Sequence, residues 1–208
     1  MLLYDLLQPA KRLFLIRHGQ AGDPTTKRYI GQTQTKLTQL GFSQAETLAR
    51  WLATVPLERI VCSDLERCLQ TAESIAGKHG LQAEPDAGLR EIDLGGWDGK
   101  TFSEIKASQP EAFEQRGRNL AGFRPPGGES FADLQTRVMP VLTAIMAQAT
   151  GNVAVVGHAG VNRVAFCHWL GLPLSSLFQL GQDPGCLNIL EFSFRTFRRV
   201  RALNLSLG

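Results

Sequence analysis

Two short apolar runs constrain the fold of this chain most, because each leads into a histidine and a glycine. Residues 13–16 precede Arg17 and His18, and residues 153–156 come just before His158. Runs of this length predict buried strands, and open α/β sheets bind ligands at the carboxyl ends of their strands. Parallel neighbouring strands would therefore bring both imidazoles into one crevice. A lone histidine at a strand end is more often structural, but two at equivalent places indicate a shared site.

The rest of the chain alternates between strand-like and helix-like segments, which predicts an α/β sandwich around a mostly parallel sheet. The apolar spacing predicts strands at 57–62, 81–84, 186–194 and 198–204, and helices at 42–52, 63–77, 129–149 and 159–170. Residues 101–128 are interpreted as short helices, broken at Pro110, and a loop. We treat them as a lid-like insertion in a domain spanning residues 11–208, preceded by an N-terminal arm at residues 1–10.

The composition is that of an ordinary globular domain. The 208 residues carry a formal net charge of +3. The basic residues cluster only near the end of the chain, where they alternate with apolar residues, at Arg195, Arg198, Arg199 and Arg201. This alternation indicates a solvated strand face and not a nucleic-acid patch. The four cysteines are irregularly spaced, so neither a disulfide framework nor a zinc site is expected.

The sequence shows no signal for membrane insertion or secretion. No run approaches the ~18 apolar residues of a membrane span. The first residues include Asp5 and lack both the basic stretch and the cleavage site of a signal peptide. We therefore expect a cytoplasmic protein. The sequence does not decide between a monomer and a homodimer.

Arg67 stands at an unfavourable place for a cation. Residues 63–66 match a capping-box pattern, which predicts a helix that begins at Ser63. Arg67 then lies in the first turn, at the positive end of the helix dipole. Either it pairs with Asp64, three residues earlier, or it faces a bound anion. The sequence leaves both interpretations open.

A site that transfers a phosphoryl group without a metal needs cationic donors for the phosphate oxygens, a nucleophile and a proton source. The candidates are Arg17, Arg67 and His158 as donors, His18 as the nucleophile, and Glu91 or Asp93 as the acid. The helix after His158 adds free N–H groups at its amino end. The negative charge of the phosphate favours the acid form of a neighbouring carboxyl group. We favour Glu91, because it follows the turn directly and Asp93 is placed to orient the glycine-rich loop. Turn chemistry alone would also explain either carboxylate.

Five motifs in a fixed order give the chain a resemblance to a known family. They are Leu15-Ile-Arg-His-Gly-Gln20, Cys62-Ser-Asp-Leu-Glu-Arg-Cys-Leu-Gln-Thr-Ala72, Leu89-Arg-Glu-Ile-Asp-Leu-Gly-Gly-Trp-Asp-Gly99, Pro126-Gly-Gly-Glu-Ser130 and Val156-Gly-His-Ala-Gly160. The set resembles the motifs of the histidine phosphatase superfamily, also called the phosphoglycerate-mutase-like family. The resemblance implies a three-layer α/β/α fold and a phosphohistidine intermediate on His18. It also implies a phosphate pocket of Arg17, Arg67 and His158, Glu91 as proton donor, and no metal or other cofactor.

Residues beside these motifs are candidates for binding the rest of the substrate. They are Gln20, Tyr29, Gly31 and Ala159. The insertion adds Arg116, Arg118 and Arg124, of which at least two are expected to be solvated surface residues. Trp97 and Phe123 are expected to fill the core beneath the loops and not to stack on a substrate ring.

Within the family, the pattern resembles small phosphatases more than mutases. Cofactor-dependent mutases carry a serine and an asparagine shortly after the Arg-His-Gly motif, where this chain has Ala21 and Pro24. In a loop signature further along the chain, Gln34 replaces the family's aspartate, so we expect this loop to be anchored differently. The pattern most resembles α-ribazole phosphatases and broad-specificity phosphatases.

We therefore expect a phosphoric monoester hydrolase that acts on a small phosphorylated metabolite. α-Ribazole 5′-phosphate, from cobalamin biosynthesis, is one candidate substrate. Two alternatives stay open, namely a cofactor-dependent phosphoglycerate mutase and a non-catalytic protein that binds a phosphorylated ligand. Neither nucleic acid nor a membrane is expected as a partner.

Overall fold

The computed structural model of the chain describes residues 10–23, 25–193 and 196–207. Apart from Ala10, the predicted N-terminal arm lies outside these residues, as do Pro24 and Arg195. Within the described residues, no helix is long and apolar enough to cross a membrane.

Six strands form one mixed sheet in which the two histidine-bearing strands are neighbours. The strands are β1 (Ala10–Arg17), β2 (Leu57–Cys62), β3 (Ala83–Pro85), β4 (Asn152–Gly157), β5 (Leu187–Ser193) and β6 (Thr196–Leu205), in the order β3-β2-β4-β1-β5-β6. The first four are parallel, β5 runs antiparallel to β1, and β6 runs antiparallel to β5. Arg17 lies opposite Gly157 in the β1–β4 register. The predicted parallel pairing is therefore confirmed.

Helices cover both faces of this sheet. They are α1 (Gln39–Leu52), α2 (Glu66–His79), α3 (Phe102–Ser108), α4 (Pro110–Arg118), α5 (Phe131–Gln148) and α6 (Ala159–Leu170), with 3-10 turns at Ala87–Leu89, Gly95–Trp97 and Leu174–Gln179. Leu13 and Leu15 pack into a core with α5 and α6, whereas Phe14 and Ile16 pack into a second core with α1 and α2. Side chains alternate between the faces of a strand, so an apolar run at the centre of the sheet fills two cores. The three-layer α/β/α fold is confirmed.

The capping box predicted at residues 63–66 is wrong. The backbone N–H of Ser63 donates to Val156 O at 2.9 Å, so it is not available to the Glu66 side chain, as a capping box requires. Helix α2 begins at Glu66, and Leu65 at its N-cap offers no side-chain acceptor. Instead, Gln34 Oε1 accepts from the Glu66 N–H at 2.9 Å. The glutamine that departs from the family's signature thus caps the helix that carries Arg67.

The insertion has the predicted form of two short helices separated at Pro110. A capping box on Thr101 begins α3, and Pro110 occupies the first position of α4, where a missing N–H costs nothing. Trp97 is fully buried beneath it and packs against Tyr29 and Phe123, with ring centroids 5.2 and 5.3 Å away. Trp97 therefore belongs to the core, as predicted. Its contacts join the insertion to the loop that carries Tyr29.

The basic residues near the end of the chain lie on the hairpin of β5 and β6. Arg199 and Arg201 both pair with Glu191, at 3.2 and 2.8 Å. Both arginine side chains stay about half exposed. The predicted solvated strand face is therefore confirmed for these two residues.

Candidate active site

The carboxyl ends of the central strands open into a cavity of about 500 Å³. Arg17 and His18, at the end of β1, line it together with Arg67 of α2, Glu91 and Gly160. The topology explains this convergence, because β1, β2 and β4 are parallel neighbours and the chain leaves each of them at the same edge.

His18 is nine-tenths buried, and its ring nitrogens have distinct partners. Nδ1 lies 2.7 Å from Gly19 O, a carbonyl that only accepts, so this nitrogen carries the proton. Nε2 then holds the lone pair and accepts from Arg67 Nε at 3.2 Å. Burial, and then the charges of Arg67 and Arg17, hold the pKa of His18 well below its usual value. His18 is a neutral imidazole whose lone pair lies among cations.

Arg67 is almost fully buried and is held by backbone carbonyls. Its terminal nitrogens donate to Gly31 O at 2.7 Å and to Thr33 O at 2.9 Å. The pairing with Asp64 that the sequence left open is excluded, because Asp64 is bound by Arg90 at 2.5 Å. Arg67 makes no salt bridge within the described part of the chain, and the charges of Glu91 and Asp98 act on it only from a greater distance.

The loop that holds Arg67 is itself organised by Asp98, a residue that the sequence analysis missed. Its carboxylate accepts three backbone N–H groups at 2.9 Å, from Gly31, Gln32 and Thr33. Gly31 is required sterically, because a Cβ atom there would lie 2.5 Å from Ile92 O. Gly31 therefore supports Arg67 through its backbone, and it is not among the residues that line the cavity.

We expect Asp98→Asn to lower kcat/KM for a phosphomonoester about tenfold or more. The amide retains one acceptor oxygen for three N–H donors, and hydrogen bonds to a charged group contribute about 1.5–3 kcal/mol each. The loop would then be less ordered, and its carbonyls at Gly31 and Thr33 would hold Arg67 less firmly. Steady-state kinetics measure the loss, and a cycle with Arg67→Lys should show strong coupling. The matched control is Asp23→Asn, on an exposed turn. Additive effects of the Asp98 and Arg67 substitutions would contradict this role.

Arg17 is fixed by a buried amide network that was also missed. Its terminal nitrogen donates to Gln182 O at 2.6 Å, and the Gln182 side chain bonds Asn162 at 2.8 Å and Asn188 at 2.9 and 3.0 Å. Arg17 Nε is buried and has no hydrogen-bond partner among the described residues. A buried guanidinium N–H without an acceptor is costly unless a ligand satisfies it. The only sequence signal was Asn188, a polar residue in a strand with buried neighbours.

His158 lies behind His18 and not on the cavity wall. It is fully buried, and its ring centroid is 5.2 Å from that of His18. The thiol sulfur of Cys68 lies 3.4 Å from its Nε2. Burial, and then the charge of Arg67, hold the pKa of His158 well below its usual value. The two imidazoles do meet as predicted, but only His18 lines the cavity.

These two buried histidines predict a loss of stability in mild acid. Their folded-state pKa values lie below the usual 6.5, so the unfolded chain binds more protons as the pH falls below 6.5. The free energy of unfolding should then decrease by up to about 1.4 kcal/mol per pH unit for each histidine. Urea denaturation between pH 7.5 and 5.5 measures this slope. His158→Gln should remove its share, whereas His168→Gln, on the exposed side of α6, should not. A slope that is equal in all three proteins would contradict the assignment.

Glu91 is the carboxylate that lines the cavity, and it is mostly buried. Its oxygens accept from the N–H groups of Ile92 and Gly160, both at 2.9 Å. The N–H at Gly160, near the amino end of α6, was expected to be free for an anion but is used by Glu91. Asp93 instead accepts from Gly95 N–H at 2.8 Å and orients the glycine loop. The predicted division of roles between the two carboxylates thus agrees with their positions.

No cluster of three or more histidine, cysteine, aspartate or glutamate side chains suited to a metal ion occurs within residues 10–23, 25–193 and 196–207. The four cysteines are all free and buried.

Residues 13–205 match the model of the histidine phosphatase superfamily (branch 1). The chain belongs to this superfamily. It is 35% identical over 179 residues to a glucosyl-3-phosphoglycerate phosphatase of Mycolicibacterium vanbaalenii, covering 82% of this chain and 79% of the relative. It is 27% identical over 194 residues to the adenosylcobalamin/alpha-ribazole phosphatase of Escherichia coli K12, covering 93% and 95%. The solved structure of Bacillus stearothermophilus YhfR matches with a TM-score of 0.86 and 30% identity, covering 95% of this chain and 100% of that one.

The predicted enzyme class, a phosphoric monoester hydrolase, is confirmed at the level of the family, since the named relatives are phosphatases.

In this histidine phosphatase, three of the four candidate substrate contacts line the cavity, namely Gln20, Tyr29 and Ala159. The wall also includes residues that the sequence analysis did not propose, among them Arg28, Phe102, Phe131, Arg163 and Phe178. Of the three insertion arginines, only Arg116 reaches the cavity. Arg118 pairs with Glu114 and Arg124 pairs with Asp133. The expectation that at least two of the three lie on the surface agrees with these pairs.

Proposed function

We propose that this protein hydrolyses a small phosphomonoester by two-step transfer through a phosphohistidine on His18, without a metal. The observation that carries the proposal is the state of His18, a neutral imidazole with its lone pair on Nε2. The two arginines beside it, Arg17 and Arg67, make no salt bridge within the described part of the chain. Such a lone pair is a nucleophile, and such arginines bind the oxygens of a phosphate.

In the first step, Arg17 and Arg67 hold the phosphate oxygens. Arg17 Nε gains the acceptor that it lacks, and Arg67 Nε exchanges His18 Nε2 for a phosphate oxygen, a stronger acceptor because it is charged. The released Nε2 lone pair attacks phosphorus in line as the bond to the leaving oxygen breaks. Glu91 gives that oxygen a proton, so that an alcohol departs.

In the second step, water replaces the alcohol. Glu91, now a carboxylate, takes a proton from the water as its oxygen attacks the phosphorus of the phosphohistidine. The N–P bond breaks, its electron pair returns to Nε2, and inorganic phosphate leaves. The role proposed for His158 is to hold His18 in place from behind, because it touches the His18 ring and is not on the wall.

A compact, ring-bearing alcohol is the favoured leaving group. A cavity of about 500 Å³ is of a size that holds a small metabolite. Tyr29, Phe102, Phe131 and Phe178 supply aromatic surface around it. α-Ribazole 5′-phosphate and glucosyl-3-phosphoglycerate, after which the relatives are named, are the first substrates to test.

Buried free thiols support a reducing, cytoplasmic location.

A phosphoglycerate mutase is the rival enzyme. Ala21 lines the cavity where mutases carry a serine, which supports transfer to water. The rival predicts that phosphate moves between the hydroxyls of phosphoglycerate, whereas our proposal predicts release of inorganic phosphate. A silent binding protein predicts a stable complex and neither product.

The direct test is to trap the intermediate. The parent protein is mixed with ³²P-labelled substrate in excess chelator, quenched in alkali and mapped by peptide analysis. We expect an acid-labile, alkali-stable label on the peptide that contains His18, together with phosphate release from an aryl phosphate. Loss of turnover on chelation, or label on another residue, would overturn the proposal.

A further inference from the structure

The segment that carries Glu91 is held by a side chain from outside it, because residues 90–94 form neither helix nor strand. Arg137 of α5 donates to three carbonyl oxygens at 2.9, 3.0 and 3.2 Å, which belong to Gly88, Arg90 and Glu91. Irregular backbone needs such partners, since it lacks the repeating hydrogen bonds of a helix or a sheet. One guanidinium therefore fixes the backbone from which the Glu91 side chain projects.

Glu129 holds Arg137 and the same segment together. Its carboxylate oxygens accept from Arg137 Nε at 2.8 Å and from Nη2 at 2.7 Å, so the pair is bidentate. Glu129 also accepts from the Asp93 N–H at 3.0 Å, and its own N–H donates to Asp93 O at 2.8 Å. Burial raises the pKa of Glu129, but the hydrogen bonds from Arg137 and Asp93 lower it below its usual value. The pair thus binds the chain on both sides of Glu91.

Gly160 fixes where the Glu91 carboxyl group can lie. Its N–H donates to Glu91 Oε2 at 2.9 Å. A Cβ atom at this position would lie 2.3 Å from Glu91 Oε1 and 3.0 Å from the carboxyl carbon. An alanine would therefore displace the carboxyl group, which is the movable end of a side chain. Gly160 lies within α6, whose helical backbone any residue adopts, so this contact and not backbone strain is what an alanine would change.

Arg137 and Gly160 act on the same carboxyl group, and the two chemical steps assign neither of them a role. Arg137 is not among the described residues that line the cavity. Proton transfer requires a donor within about 2.6–3.2 Å of the leaving oxygen. We propose that Arg137 and Gly160 are positioning residues for Glu91, which hold its carboxyl group within reach of that oxygen. The proposal rests on the proposed function, in which Glu91 donates this proton.

The test uses two ring-bearing substrates that differ in their need for an acid. 4-Nitrophenolate leaves without a proton, whereas the alkoxide of benzyl phosphate needs one. The ratio of kcat/KM reports the first step alone, through departure of the alcohol or phenol. In the full-length protein, Arg137→Lys and Gly160→Ala should each lower kcat/KM for benzyl phosphate at least about tenfold more than for 4-nitrophenyl phosphate, since misplacement by about 1 Å can cost about 10²-fold. Lysine keeps the charge of Arg137 but not its fork of donors.

Each variant has a matched control. Arg124→Lys changes another arginine that makes a forked pair, an exposed one with Asp133 of α5. Gly157→Ala adds the same methyl group in the same motif, where the nearest atom, on Val161, would be in ordinary contact at 3.4 Å. Both controls should leave the ratio of the two kcat/KM values unchanged. Circular dichroism checks the fold of every variant, and the two positioning variants test the proposal independently if one does not fold.

A second background separates positioning from a merely structural role. In Glu91→Gln the acid is absent, so neither Arg137→Lys nor Gly160→Ala should change the ratio further. A further change in that background would overturn the role of the residue concerned. An unchanged ratio in a folded variant that retains Glu91 would do the same.

Failure of the proposed function gives a different result. If Glu91→Gln itself leaves the ratio unchanged, Glu91 is not the acid, and the mechanism and the positioning role both fail. If Glu91→Gln changes the ratio but neither Arg137→Lys nor Gly160→Ala does, the mechanism stands and the positioning role is wrong.

Discussion

Replacing His18 with alanine is expected to lower kcat for an aryl phosphate by at least about 10³-fold, the order of loss when an enzyme's nucleophile is removed. The reason is that Nε2 forms the bond to phosphorus, and neither Arg17 nor Arg67 can substitute for it as a nucleophile. Phosphate release is measured with and without chelator. Phosphate binding should persist, because both arginines remain.

The matched control is His168→Ala, which removes an exposed imidazole from α6. It should leave kcat unchanged. Turnover by His18→Ala within about tenfold of the parent would show that another group attacks phosphorus, or that water attacks directly. A chelator-sensitive rate in the parent would exclude the metal-independent route.

Replacing Glu91 with glutamine is expected to lower kcat for an alkyl phosphate by about 10²–10⁴-fold, the range for loss of a general acid or base. An alkoxide needs a proton to leave, whereas 4-nitrophenolate leaves without one. With 4-nitrophenyl phosphate the variant should therefore release one nitrophenolate per active site in a rapid burst. Slow turnover should follow, because Glu91 is also absent as the base for water. Stopped-flow absorbance records both phases.

Asp93→Asn is the control for this prediction, since Asp93 was the other candidate for the acid in the sequence. Asp93 holds Gly95 and is not on the cavity wall. We expect its substitution to lower stability and to affect alkyl and aryl substrates alike. Absence of the nitrophenolate burst in Glu91→Gln, together with its appearance in Asp93→Asn, would reverse the assignment.

The hydrophobic pattern of the sequence was sufficient to predict strands and helices, because their burial depends mainly on neighbouring residues. The run that ends at Arg17 and His18 predicted a buried strand, and the second run predicted its partner. Parallel strands that pair side by side bring their carboxyl ends together, so the meeting of His18 and His158 followed from hydrophobic pattern and strand direction. The helices at 42–52 and 159–170 were predicted for the same reason, with the first beginning three residues earlier than expected.

Predictions from local sequence patterns were wrong where a group far away in the chain binds the same N–H or carboxylate. Residues 63–66 match the capping-box pattern, but the Ser63 N–H donates to Val156 O of β4 and not to the Glu66 side chain. The helix begins at Glu66. Asp64 is three residues from Arg67 in the sequence, but its carboxylate forms a salt bridge with Arg90. The Gly160 N–H was expected to be free to bind an anion, but it donates a hydrogen bond to Glu91, which lies in another loop. Each competitor is at least 26 residues away in the chain.

The sequence by itself determined the α/β layers, the pairing of the two histidine-bearing strands and the residues that would meet at their ends. The layers follow from the apolar periodicity of neighbouring residues, and the pairing was predicted because two buried-type strands end in the same histidine and glycine motif. Only the tertiary structure decided that Asp98 and Gln182 hold Arg67 and Arg17, that His158 lies behind His18, and that Arg116 reaches the cavity. These depend on contacts between segments that are far apart in the chain, because a side chain's partner is set by what the fold packs against it.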